Sequence, residues 1–181
     1  MNNKQINKWT KNSADVVYAG TTNRRVGLVI HHTAVKQSIK EQWLRVFNSH
    51  TKINGWSGGG YNFIIEADGA IFQYRAVGTD LVAHTGYNRQ HLAICLAGNM
   101  NYDSITESQL KSLRKLVVWL NAHEGKEYHK PLIRHGDIGK TECPGANINL
   151  SEIENYITKQ GLIEQLQVLL AKLKKLLALK K

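Results

Sequence analysis

Two adjacent histidines, His31 and His32, end the apolar run LVIHH and are the first residues that could bind a metal ion. A β-strand directs consecutive side chains to opposite faces, so at most one of the two can point into a given site. A lone histidine at the end of a strand is more often a hydrogen-bonded structural residue than a ligand. The pair therefore indicates a metal site only if ligands from elsewhere join it.

The segment RHGDIGKTECPG offers such partners in His135 and Cys143. The two are too far apart for one helical turn, but a loop that folds back could bring both to one ion. Zn²⁺ accepts imidazole nitrogen and thiolate sulfur, and three protein ligands leave a fourth position for water or substrate. The alternative is an exposed His135 and a buried, structural Cys143, and the spacing alone does not decide between them.

Several segments predict the elements that would position these residues. The apolar run 26–30 predicts a strand buried on both faces, and HLAICLAG predicts another. SIKEQWLRVFNSH predicts a helix that begins with a capping box of Ser38 and Glu41. Asp68-Gly69 predicts a hairpin between YNFIIEA and AIFQYR.

The second half of the chain predicts further helices. Thr106 and Gln109 predict a cap for a helix with leucines at helical spacing, and Ser151 with Glu154 predicts the start of a short helix before Gly161. Strands interleaved with helices predict an α/β fold, a single domain whose central mixed β-sheet is flanked by helices.

The net charge indicates which partners the protein could bind, and the cysteine content indicates the redox compartment in which it is made. A formal net charge of +10 over 181 residues favours an anionic partner: nucleic acid, an acidic membrane or a wall polymer. The first residues lack the apolar segment of a secretory signal, and no apolar run reaches the length of a membrane span. We expect synthesis in reducing cytosol, where Cys95 and Cys143 stay unpaired or bind metal.

The tail, residues 161–181, predicts a C-terminal amphipathic helix, separated by a boundary at Gly161 from a domain in residues 1–160. Its five lysines and one glutamate give it a net charge of +4. Docking on the domain, binding to an anionic membrane or wall polymer through residues 162–181, and self-association are the alternatives. The apolar residues predicted to share one face are Leu162, Ile163, Leu166, Leu169, Leu170, Leu173, Leu176 and Leu177.

Four motifs occur in an order and at a spacing that resemble the type 2 N-acetylmuramoyl-L-alanine amidases. They are VIHHTAV, GYNFIIEADGAIFQYR, VAHTGYNRQHLAICLAGN and HGDIGKTECPG, and they cover Val26 to Pro144. This family includes phage lysozymes of the amidase kind and animal peptidoglycan recognition proteins. The resemblance implies a zinc amidase domain in residues 1–160.

The resemblance also implies roles for individual residues. His31, His135 and Cys143 match the zinc ligands of the family, which leaves His32 as a neighbour. Tyr61 matches the tyrosine beside the zinc.

The other matched positions concern catalysis and substrate binding. Thr141, with Lys140 adjacent, falls where some phage members have a lysine and many others a threonine. His84, in AHTGYN, is expected in the substrate groove, and Trp56, in the Gly-rich loop, could stack on a sugar.

The implied function is zinc-dependent hydrolysis of the amide between the muramic acid lactyl group and L-alanine, which causes bacterial lysis. We expect the protein to be made in the host cytoplasm, to reach peptidoglycan after the membrane is breached, and not to bind nucleic acid. The alternatives are a peptidoglycan-binding module without activity, in which the cysteine ligand is often lost, and a membrane-active antimicrobial protein that acts through its helix.

Overall fold

The computed structural model describes residues 7–8, 27–77, 86–88, 90–124 and 131–178. The strands in these ranges are β1 Asn7–Lys8, β2 Gly27–His32, β3 Phe63–Ile65, β4 Ile71–Gln73, β5 His91–Leu96 and β6 Leu132–Arg134. The helices are α1 Gln42–Asn48, α2 Glu107–Glu124, α3 His135–Ile138 and α4 Leu150–Ala178, and a π-helical turn, Ser49–Ile53, continues α1.

The strands form one mixed sheet in the order β1-β4-β3-β5-β2-β6. Strand β2 pairs in parallel with β5 and β6, and β3 pairs in parallel with β5. Strand β4 is antiparallel to both β3 and β1. The predicted α/β fold with a central mixed sheet, flanking helices and a C-terminal helix is confirmed.

Side chains alternate between two cores on opposite faces of the sheet. Leu28 and Ile30 of β2 belong to the larger core, which α2 and the first turns of α4 complete. Ile64 and Cys95 belong to a smaller core beside Phe47 of α1. Strand β2 is buried along its whole length. Its consecutive side chains therefore pack on opposite faces of the sheet.

The predicted capping box at the start of α1 is wrong. Glu41 holds the N-cap position in a left-handed conformation, with φ 54° and ψ 40°, and its side chain makes no capping hydrogen bond. The Trp43 N–H instead donates to Oε1 of Glu66, 2.6 Å away, at the end of the β3 segment. A distant carboxylate therefore satisfies the free N–H that the local sequence would have to cap.

The start of α2 and the hairpin follow the predictions. The Thr106 N–H donates to Gln109 Oε1 at 3.1 Å, and the Gln109 N–H donates to Thr106 Oγ1 at 3.0 Å. Strands β3 and β4 are antiparallel neighbours joined through Gly69, which has φ +88°. Local side-chain chemistry explains both features.

Helix α4 differs from the short helix predicted before Gly161. It begins at Leu150, before Ser151 could cap it, and the Glu152 N–H donates to Asn149 Oδ1 at 3.3 Å. It then continues through Gly161 to Ala178 without interruption. Glu154 has another role, accepting the Leu132 N–H of β6 at 2.7 Å.

Burial divides α4 into two parts. Ile153 and Ile157 are 3% exposed and lie in the larger core, whereas six leucines beyond Gly161 are each more than half exposed. The division into residues 1–160 and 161–181 stays a prediction. No helix within the described ranges is both long enough and apolar enough to cross a membrane.

The hairpin glycine provides a test of the packing between the sheet and α2. A Cβ at Gly69 would lie 2.8 Å from the Ser108 carbonyl oxygen and 2.8 Å from Ser112 Oγ. We expect Gly69→Ala to lower the free energy of unfolding by about 2–3 kcal/mol, because positive φ and the close contact both oppose a side chain. Urea denaturation measures this loss.

Gly55→Ala is the matched control. Gly55 has φ +70°, but a Cβ added there would meet nothing within 4 Å. This substitution should cost only the backbone strain, about 1 kcal/mol. Equal losses in the two variants would contradict the steric contribution at Gly69.

Candidate metal site

Parallel pairing of β2 with β6 places two histidines side by side. Ile30 is the register partner of Arg134, so His31 and His135 each follow a paired residue at the same end of the sheet. Their ring centroids are 4.5 Å apart with an interplanar angle of 46°. Strand alternation sends His32 to the opposite face, where its Nδ1 accepts the Met100 N–H at 3.1 Å.

Cys143 approaches the two histidines from a loop that follows α3. The Gly136 N–H donates to the Cys143 carbonyl oxygen at 2.7 Å, which holds this loop against the first turn of α3. Cys143 Sγ lies 3.7 Å from His31 Nδ1. One donor atom each from His31, His135 and Cys143 forms a group whose members lie within 4.8 Å of one another.

This donor set suits Zn²⁺. Tetrahedral zinc with bonds of about 2.0–2.1 Å to nitrogen and about 2.3 Å to sulfur places these two donors about 3.6 Å apart. Burial lowers the pKa of His135, which favours the neutral imidazole that binds metal. Burial raises the pKa of the Cys143 thiol, and a bound cation would offset that cost by stabilising the thiolate.

Arg134 braces the loop that carries Cys143. Its Nη1 donates to the Ile148 carbonyl oxygen and its Nη2 to the Gly145 carbonyl oxygen, both at 2.7 Å. A planar guanidinium can hold two acceptors in fixed directions. Sequence reasoning missed this residue, although its position directly before His135 was a signal that it could support the site.

Tyr61 lies beside the donor group, with its ring centroid 5.1 Å from that of His31. Burial, followed by the neighbouring thiols of Cys95 and Cys143, raises the pKa of Tyr61 well above its ordinary value. The phenol therefore stays neutral and can donate a hydrogen bond. Cys95, the register partner of His31 on β5, is fully buried in the smaller core against which Tyr61 packs.

His50 also contacts Tyr61, and sequence reasoning missed it as a site residue. Its Nδ1 accepts the Gly60 N–H at 3.0 Å, and its carbonyl oxygen accepts the Trp56 N–H at 2.9 Å. Its ring stacks on Trp56, with centroids 4.7 Å apart, and meets Tyr61 edge-on at 5.6 Å. His50 lies in the π-helical turn, a type of distortion that often occurs at functional sites.

Close packing accounts for the glycines before Tyr61. A Cβ at Gly59 would lie 2.2 Å from Cδ2 of Tyr74, and one at Gly60 would lie 2.8 Å from Cζ3 of Trp56. Arg75 Nε also donates to the Gly59 carbonyl oxygen. The loop is thus held against the site by contacts that no larger residue would permit.

The remaining predicted site residues have different surroundings. Thr141 Oγ1 accepts the Cys143 N–H at 3.2 Å, which places its hydroxyl next to the Cys143 loop. Lys140 is exposed, and Trp56 is 44% exposed despite its stacking on His50. His84 lies outside the described residues.

Comparison with known proteins agrees with this geometry. A family model described as N-acetylmuramoyl-L-alanine amidase matches residues 22–146. The endolysin of Enterobacteria phage T3 is 32% identical over 130 residues, which are 67% of this chain and 81% of the phage protein. Peptidoglycan-recognition protein SC2 of Drosophila melanogaster is 30% identical over 125 residues, 66% of this chain and 68% of that protein.

A solved structure extends the similarity to the fold. The endolysin N-acetylmuramoyl-L-alanine amidase LysCS from Clostridium intestinale URNW superposes with a TM-score of 0.65 and 28% identity, covering 82% of this chain and 99% of that one. The resemblance carried by the four sequence motifs is confirmed. The chain belongs to the N-acetylmuramoyl-L-alanine amidase family that includes phage endolysins and peptidoglycan-recognition proteins.

Proposed function

We propose that the chain is a zinc-dependent N-acetylmuramoyl-L-alanine amidase that cleaves the amide between the muramic acid lactyl group and L-alanine of peptidoglycan. The observation that carries this proposal is the convergence of His31, His135 and Cys143 on one point. Similarity to proteins named as endolysins supports hydrolysis of the bacterial wall. The same relatives support action on the wall from inside the host cell. We propose that the enzyme is made in the host cytoplasm and reaches the wall once the membrane is breached.

The three donors would hold the zinc, and the side chains around them have distinct roles. When bound, zinc supplies Lewis-acid polarisation of the scissile carbonyl and activates a water nucleophile. Arg134 holds the Cys143 loop in place through two backbone carbonyls. His50 holds Tyr61 and the loop before it against the site.

Tyr61 is assigned to transition-state stabilisation. A phenol that burial keeps neutral can donate its hydrogen to the oxyanion that develops on the substrate. Thr141 is a second donor, because its oxygen already accepts the Cys143 N–H and its hydrogen is left to rotate toward substrate. Lys140 is the alternative to Thr141, and Trp56 and His84 are assigned to the substrate groove.

A peptidoglycan-binding module without activity is the second candidate. Peptidoglycan-recognition protein LE, solved in complex with tracheal cytotoxin, is 28% identical and superposes with a TM-score of 0.63, covering 73% of this chain and 80% of that one. That similarity supports the binding of a peptidoglycan fragment by this fold. The presence of Cys143 beside both histidines favours the enzyme.

The bond that is cleaved distinguishes this amidase from other wall hydrolases. Digestion of purified peptidoglycan should expose new alanine amino groups without new reducing sugar ends, and a zinc chelator should stop it. Labelling of amino groups and a reducing-sugar assay, followed by mass analysis of the fragments, measure both products. New reducing ends would indicate a glycosidase, and binding without new groups of either kind would indicate the second candidate.

Cysteine variants test which thiol holds the metal. We expect Cys143→Ser to lower zinc content from about one ion per chain to well below half at equal chelator concentration, because a hydroxyl replaces the thiolate ligand. Cys95→Ala is the control, since Cys95 is not a member of the three-donor group. Elemental analysis of folded protein measures the content, and zinc loss caused by Cys95→Ala alone would contradict the assignment.

Removal of one hydroxyl tests the role of Tyr61. Tyr61→Phe should lower kcat by about 10²–10³-fold while zinc content stays unchanged, since one oxyanion donor is lost. Tyr102→Phe is the control, because Tyr102 is 86% exposed. Unchanged kcat in the Tyr61 variant would remove this residue from the mechanism.

A further inference from the structure

The outer part of α4 exposes a continuous apolar surface, which we call the tail face. Its members lie beyond Gly161, where the helix leaves the larger core, and no described part of the chain covers them. A soluble domain rarely exposes such a stripe without a partner. The exposed leucines of the tail face are Leu162, Leu166, Leu169, Leu170, Leu173 and Leu177.

The leucines of the tail face and the lysines of the same segment lie at different angles around the helix axis. At about 100° per residue, the six leucines fall within an arc of about 100°. Lys172 lies beyond one edge of the arc and Lys174 beyond the other, while Lys175 lies on the opposite side. Val168 is exposed as well but falls outside the arc.

Lysines at both edges of an apolar stripe suit a lipid interface. Their alkyl stems can follow the apolar surface while the ammonium groups reach the phosphates above it. A helix of this kind lies in the plane of the bilayer with its leucines at the boundary of the acyl chains. Lys172, Lys174 and Lys175 interrupt the middle of the segment, so a spanning orientation would bury three charges.

The charge of the segment argues against a second copy of the chain as the partner. Residues 161–181 contain five lysines and one glutamate, so paired helices would bring like charges together at the edges of the seam. The arc is also wider than the narrow stripe that a two-stranded coiled coil buries. Wall polymers supply anions but no acyl chains to cover the leucines.

We propose that residues 162–178 bind the headgroup region of an anionic lipid bilayer, with the tail face against the acyl chains and the lysines against lipid phosphates. This binding is separate from the proposed amidase activity, since it uses none of the residues of the metal site. It would hold the enzyme at the membrane surface that borders its substrate.

Vesicle binding by the full chain tests the proposal. The protein should co-sediment with phosphatidylcholine vesicles that contain phosphatidylglycerol and bind much more weakly to phosphatidylcholine alone. Each change of Lys172 or Lys174 to Gln should weaken binding to the anionic vesicles about fivefold, Lys175→Gln should weaken it less because Lys175 lies on the opposite side, and added salt should weaken it further. Equal binding to the two kinds of vesicle, or binding to neither, would overturn the proposal.

Matched variants separate the tail face from the opposite side of the helix. Leu169→Gln with Leu173→Gln should reduce vesicle binding at least tenfold, whereas Ala171→Gln with Ala178→Gln, which places the same side chains on the other side, should leave it unchanged. Circular dichroism and the thermal midpoint verify that each variant is folded. Equal effects of the two pairs would overturn the proposal.

Two further measurements separate membrane binding from self-association and from wall hydrolysis. Sedimentation velocity without lipid should show a monomer, and an oligomer that only the leucine variants dissociate would identify a second copy as the partner instead. Cys143→Ser should bind vesicles as the parent protein does. If the parent protein bound vesicles but did not hydrolyse peptidoglycan, the result would count against the amidase alone. If it hydrolysed peptidoglycan but did not bind vesicles, the result would count against the membrane surface alone.

Discussion

The parallel pairing of β2 with β6 is the interaction on which the site depends. Because Ile30 and Arg134 are register partners, the residues that follow them, His31 and His135, meet at the carboxyl end of the sheet. A shift of one residue in β2 would exchange His31 for His32 and turn the wrong imidazole toward the donor group. The buried hydrophobic residues that fix this register therefore also fix the positions of His31 and His135.

The third donor depends on a loop instead of a strand, and the chain braces that loop in several ways. The Gly136 N–H holds the Cys143 carbonyl, while Arg134 holds the carbonyls of Gly145 and Ile148. Hydrogen bonds that hold the residues around a metal commonly raise the metal affinity, because a mobile donor loses conformational freedom when it binds. The loop before Tyr61 is also held by side-chain contacts. His50 accepts the Gly60 N–H, and its ring contacts those of Trp56 and Tyr61.

Local sequence chemistry was sufficient for some features. Strand alternation separated His31 from His32, and the Thr106–Gln109 cap and the Asp68-Gly69 hairpin depend only on neighbouring residues. The family resemblance selected the proposed ligand set, which residue spacing alone had left undecided.

Features made by distant contacts could not be predicted in this way. Helix α1 begins where Glu66 accepts the Trp43 N–H. The residues around Trp43 in the sequence do not predict that contact, because Glu66 is distant in the chain. The bracing roles of His50 and Arg134 arise from partners brought together by folding. Helix α4 passes through Gly161 although glycine weakens helices, and it carries its leucines away from the core.

X-ray absorption spectroscopy of the zinc-loaded full chain would identify the atoms that bind the metal. We expect a zinc environment with one sulfur donor and two imidazoles, completed by a light atom from water. A spectrum without sulfur, or with two sulfurs as if Cys95 also bound, would contradict the assignment of His31, His135 and Cys143.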